Sequence, residues 1–103
     1  MTETTTTPTR PQAVPTVQVD NDRVCVTLWS FAPGAETGPH CHGLDYVVVP
    51  LTTGQLLIEM PDGTSRLVDR SAGASYAGTA GTDHNVVNPS ATEPFAFVEI
   101  ELR

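Results

Sequence analysis

A chain of 103 residues with twelve carboxylates against five basic side chains carries a formal charge of −7. That balance lacks the clustered positive charge that nucleic acid and anionic membrane surfaces attract, so neither is expected as a partner. The length sets one domain, 39% hydrophobic content supports a core, and no apolar run reaches the roughly 20 residues of a membrane-spanning helix.

Residues 1–15 are rich in Thr and Pro and almost free of apolar side chains. This composition predicts a disordered N-terminal tail, with the folded domain over 16–103. From Arg23 to Phe31, Val24, Val26 and Leu28 alternate with Cys25, Thr27, Trp29 and Phe31, a strand partly buried on both faces. Ala32-Pro33-Gly34 breaks it. His40–His42 and Asp45–Leu51 read as extended, the latter through its run of valines. Gln55–Met60 and Ser65–Val68 flank Pro61-Asp62-Gly63, a hairpin signal. Gly73, Gly78 and Gly81 mark a loop before the extended stretch His84–Asn88. Phe95–Leu102 closes the chain with Ala96, Val98, Ile100 and Leu102 on one face and Phe95, Phe97, Glu99 and Glu101 on the other. No segment carries a helical apolar period of useful length. About eight short strands at regular spacing predict an all-β sandwich or barrel.

The N-terminus lacks the basic and apolar regions of a secretory signal, so a cytoplasmic protein with Cys25 and Cys41 as reduced thiols is the expectation. Cys41 lies between two histidines of opposite parity and is assigned to packing. The carboxylates Asp62, Asp69, Glu93, Glu99 and Glu101 read most simply as solvated surface. Trp29, Tyr76, Phe95 and Phe97 are candidates for either a pocket lining or the core. Asn88 suits a turn before Pro89 as well as it suits a ligand-orienting role.

His40-Cys41-His42 is the most informative segment. Alternate residues of a strand face the same way, about 6.5–7 Å apart, so two imidazoles can converge on one cation. Neutral imidazole is also the commonest metal ligand. Gly34 followed by His40-x-His42, with Gly54 further on, resembles the first signature of the cupin superfamily. Gly73, Gly81, His84 and Asn88 resemble the second, with Thr79 where proline is usual. The stretch Asp45–Leu51 is similar to small single-domain cupins, some labelled beta-alanine-degradation proteins.

The resemblance implies a single jelly-roll β-barrel with a metal in its mouth, held by His40, His42 and His84. The glutamate ligand of the signature is missing. Its position falls on Tyr46 or Val47, depending on the spacing used. Tyr46 shares strand parity with the histidines and is the candidate catalytic residue, positioning substrate or dioxygen. Asp45 is the nearest carboxylate, but parity turns it away unless Gly43 introduces a bulge.

Three neutral imidazoles leave a divalent ion with its full +2 charge and up to three open positions if the ion is octahedral. An anionic bidentate ligand, such as a diketone enolate or a 2-oxo acid, would match that site. The expectation is an Fe(II) dioxygenase-like oxidoreductase, with Zn(II), Ni(II) or Mn(II) as alternative ions. Two other readings stand beside it: a non-catalytic small-ligand or accessory cupin with a structural or vestigial metal, and a Zn- or Ni-dependent isomerase or hydrolase. The resemblance also implies a homodimer, because small cupins commonly pair an edge strand or a sheet face.

Overall fold

A computed structural model describes residues 9–103, and among them nine strands and no helix. The strands are β1 (Val14–Asp20), β2 (Val24–Phe31), β3 (His40–Cys41), β4 (Tyr46–Pro50), β5 (Gly54–Glu59), β6 (Ser65–Arg70), β7 (Tyr76–Gly78), β8 (Asp83–Val87) and β9 (Phe95–Leu102). They form two antiparallel sheets, in the orders β1-β2-β9-β4-β7 and β3-β8-β5-β6. From β2 to β9 the chain passes back and forth between the sheets, with only the β5–β6 hairpin staying in one. This is a jelly roll. The closed barrel expected from sequence is not formed: among the described residues the two sheets face each other and remain unpaired along their edges.

Period-2 patterning explains which faces meet. Phe31 on β2, Tyr46 and Val48 on β4, Leu56 and Ile58 on β5, Val86 on β8, and Phe95 and Phe97 on β9 all point between the sheets and are buried. At the β5–β6 hairpin, Gly63 takes φ of 89°, and Asp62 Oδ1 accepts from the Thr64 amide at 2.9 Å. That is the turn chemistry the Pro-Asp-Gly signal predicts.

Two expectations about chain order change. Of the tail predicted over 1–15, residues 12–15 are joined to the folded domain, and residues 1–8 lie outside the described residues. Ala13 is only 1% exposed, its amide donates to Glu36 O at 2.8 Å, and β1 begins at Val14. Arg10 fastens this segment through Glu36 at 3.2 Å and Glu59 at 2.8 Å. The second change is β7, which lies inside the stretch read as a glycine loop. Gly78 belongs in this strand because the Tyr46 ring fills the space its Cβ would occupy.

Among the described residues no helix is long and apolar enough to cross a membrane. β1 is the outer strand of its sheet and is exposed along its whole length, with Val14, Val17 and Val19 open to solvent. A break in its register between Val17 and Val19 interrupts the edge.

Candidate metal centre

The shortest strand brings the histidines together. β3 pairs with β8 so that His40 lies opposite His84. His42 follows just beyond β3, where its amide donates to Thr82 O at 2.8 Å and its carbonyl accepts from Gly81 N at 2.7 Å. The result places His42 Nε2 3.0 Å from His40 Nε2 and 3.1 Å from His84 Nε2. All three rings meet edge to face, with centroids 4.7–5.1 Å apart.

The tautomer of His40 follows from its partner. Gly38 O can only accept, and it lies 2.8 Å from His40 Nδ1, so Nδ1 carries a proton and Nε2 is the nitrogen turned to the other two rings. Burial, with His40 adding to it, pulls the His42 imidazole down to about 4. The same causes, together with His42, bring His84 to about 4. Both rings are therefore neutral at physiological pH, the form that ligates a metal.

The spacing fits a divalent ion. With metal–nitrogen bonds of about 2.1 Å, edges of 3.0 and 3.1 Å correspond to N–metal–N angles of about 91–95°. Both angles are close to the 90° between neighbouring positions of an octahedron, and tetrahedral coordination would need edges nearer to about 3.4 Å. His40, His42 and His84 thus form a group that could hold a metal.

A polar network supports the cluster from behind. Thr37 Oγ1 sits 3.3 Å from His40 Nδ1 and 3.4 Å from Asn85 Oδ1. The buried Asn85 amide donates to Glu36 at 2.8 Å and to Glu59 at 3.0 Å, the two carboxylates that hold Arg10. The N-terminal segment is therefore tied into the outer support of a ligand histidine.

The site residues read from sequence fall into two groups. Tyr46 is beside the cluster: its ring stacks on His42 with centroids 3.9 Å apart and 20° between planes. Its hydroxyl reaches towards Gly78, and burial pushes the phenol pKa up. A phenolate ligand is disfavoured accordingly. Asp45 is not at the cluster. It is exposed, and its carboxylate accepts from the Ala80 amide at 2.8 Å, fixing the loop that leads into β8. Cys41 is exposed, as strand parity requires, and both cysteines are free thiols. Asn88 is 2% exposed but serves the chain turn, donating to Ala32 O and Glu93 O while accepting from Ser90 N.

Glu99, read as surface, faces the site. Its carboxylate lies 3.9 Å from His42 Nδ1, its side chain is only 16% exposed, and burial raises its pKa, with Glu101 adding to the shift. With His42 and Glu101 it forms a second, overlapping group able to hold a cation. The signal for it lay in strand parity: Glu99 shares a face with the buried Phe95 and Phe97. Beyond the histidines opens a cavity of about 320 Å³, walled by Trp29, Tyr46, Tyr76 and Phe97. Phe95 instead closes the opposite end of the core. Arg66 and Arg70 of β6 also reach this cavity, and nothing in the sequence pattern singled them out.

No protein-family profile matches the chain. It is 62% identical over 94 residues to the Beta-alanine degradation protein BauB of Pseudomonas aeruginosa, covering 91% of this chain and 97% of that protein. The crystal structure of a cupin domain from Bordetella pertussis Tohama I is 56% identical, with a TM-score of 0.89 over 94% of this chain and 99% of that one. A cupin superfamily protein from Desulfitobacterium hafniense shares the fold at 20% identity, with a TM-score of 0.69 over 94% of this chain and 83% of that one. The fold, the histidine placement and these similarities agree: the chain is a small single-domain member of the cupin superfamily.

Proposed function

We propose that this cupin is a metal-dependent enzyme. In this reading His40, His42 and His84 hold one divalent ion, Fe(II) first among the candidates, and the reaction is dioxygenase-like on a small, bidentate, oxygen-rich molecule. The observation that carries the reading is the pair of Nε2 separations, 3.0 and 3.1 Å, with the His40 tautomer fixed by Gly38 O. The two angles near 90° at the His42 corner support six-coordinate Fe(II), Mn(II) or Ni(II) over tetrahedral Zn(II). When bound, such an ion supplies Lewis acidity and, as Fe(II), reactivity towards dioxygen.

The side chains around the cluster suit this role. Tyr46 keeps its proton, so its hydroxyl can donate a hydrogen bond to substrate or dioxygen. Its ring holds the plane of His42 by stacking, and the Glu99 carboxylate lies 3.9 Å from the other nitrogen of His42. Trp29 and Phe97 make an apolar wall that limits water. The relative named for beta-alanine degradation supports a substrate of a few carbons, which the cavity volume also favours.

The proposal places the protein in the cytoplasm, where Cys25 and Cys41 stay reduced. It also makes the protein a homodimer, formed along the exposed valines of β1. Sedimentation of a monomer at micromolar concentration would remove that part.

The catalytic reading is tested by anaerobic loading with Fe(II), followed by oxygen-uptake assays over diketones, 2-oxo acids and 3-oxo acids. Uptake with at least one of these, absent in His84→Ala, is expected. No uptake at full iron loading with any of them would sink the dioxygenase reading. If the metal then still raised thermal stability, the accessory, non-catalytic role would take its place.

A further inference from the structure

The inner face of β6 carries Arg66, Val68 and Arg70, and the register places them opposite Ile58, Leu56 and Gly54 of β5. Ile58 and Leu56 are core residues, so this face of β6 looks into the molecule, and both arginines reach the cavity beside the histidines. The chain has five basic residues in all. Arg10 and Arg103 are neutralised by Glu36, Glu59 and Asp20. Among the described residues, Arg23, Arg66 and Arg70 form no ion pair, and of these only Arg66 and Arg70 line the cavity. An acidic protein thus directs two unpaired cations into one cavity.

Arg70 is the better built of the two. Its guanidinium lies over the Tyr76 ring, with Cζ 3.9 Å from the centroid, which fixes its plane. Its Nη1 makes a long bond of 3.3 Å to Asp69 O. Its Nε is buried and has no hydrogen-bond partner. A buried, unpartnered donor on a charged group is costly to keep, and a planar guanidinium held flat is the shape that donates two parallel bonds to a carboxylate.

The register also fixes how far this anchor stands from the histidines. Tyr46, stacked on His42, pairs with Gly78, while Val48 pairs with Tyr76. Tyr76, and the guanidinium above it, therefore lie two residues along β7 from the level of the cluster, about 7 Å away.

We infer that Arg70, with Arg66 as a second cation, is the anchor for a carboxylate of the ligand, and that the cavity selects short-chain acids bearing a second oxygen at the far end. The inference deepens the proposed function: the carboxylate sits at Arg70 and the second oxygen faces the three histidines. Arg70 is a binding and specificity residue, not a ligand of the metal.

The test compares 3-hydroxypropionate with its neutral amide, 3-hydroxypropanamide, by NMR titration of the protein as purified and again after metal removal. Wild-type protein is expected to bind the acid at least about tenfold tighter than the amide, metal or no metal. Arg70→Met should abolish that preference with metal stoichiometry unchanged, and Arg70→Lys should keep part of it. Equal binding of acid and amide by wild type overturns the inference, and so does a preference that survives Arg70→Met. Should Arg70→Met fail to fold, the wild-type pair of ligands and Arg70→Lys still decide it. Anion preference in a protein that takes up no metal would leave this inference standing while the proposed function fell.

Discussion

The two ends of the space between the sheets are built by the same strands and differ in everything else. On β9, Phe95 is buried at one end, Phe97 stands between core and cavity, and Glu99 faces the cluster at the other end, all on one face of one strand. β2 gives Phe31 to the packed end and Trp29 to the cavity, and β8 gives Val86 to the core and His84 to the cluster. One end is closed apolar packing, while the other is a cavity rimmed by imidazoles, carboxylate and guanidinium. The lesson is that strand parity decides what faces inward, and position along the strand decides whether it meets core or site. A charged residue on an inward face is therefore a site candidate rather than a solvated one.

The contrast breaks most sharply by mutation of the closed end. Phe31 is 1% exposed and its ring lies 5.4 Å from that of Phe97. Phe31→Ala should cost about 3–5 kcal/mol in urea denaturation of the metal-free protein. The folded fraction should still take up one metal per chain. Loss of metal binding in that folded fraction would show that the two ends are not separable.

At the open end pH should act where the closed end is silent. His42 and His84 are neutral in the folded protein, with values near 4 against 6.5 when unfolded. Above 6.5 neither state binds protons there and the contribution is nil. As pH falls below 6.5 the unfolded chain takes up protons that the folded protein refuses, so stability declines towards pH 4 and then levels off. Denaturation curves of metal-free protein between pH 7 and 4 should show that decline, and His42→Ala should flatten it. A profile unchanged by that substitution would place the proton uptake elsewhere.

Gly78 sharpens the boundary between the ends. A methyl group there would run into the Tyr46 ring, so Gly78→Ala should cost about 1–3 kcal/mol as the ring is forced aside. Because Tyr46 stacks on His42, metal affinity should fall as well. A variant with reduced stability and unaltered metal affinity would separate Tyr46 from the cluster.

Much of this was legible in residue order. The alternation along Arg23–Phe31 and Phe95–Leu102, the Pro-Asp-Gly turn and the spacing of the three histidines each express a local rule. What was hidden depends on partners far away in sequence. Gln12 and Ala13 donate to the carbonyls of Thr37 and Glu36 while Arg10 reaches Glu36 and Glu59, contacts that the Thr- and Pro-rich composition gives no hint of. β7 was masked by Gly78, which is small to admit Tyr46 rather than to make a turn. Glu99 was visible by parity but discounted for its charge. Arg66 and Arg70 gain meaning only once β6 is paired with β5, because a hairpin strand does not announce which face is inward.

In the proposed metal site three histidine nitrogens hold the ion without a protein carboxylate. X-ray absorption spectroscopy at the iron edge of Fe(II)-loaded protein tests it most directly, with His84→Ala and Glu99→Gln measured alongside. The expected result is one ion per chain, three histidine nitrogens at about 2.1 Å with the remaining positions filled by solvent, a spectrum little changed in Glu99→Gln, and loss of the ion in His84→Ala. A carboxylate oxygen in the wild-type shell that disappears in Glu99→Gln would contradict it, as would full iron loading in His84→Ala.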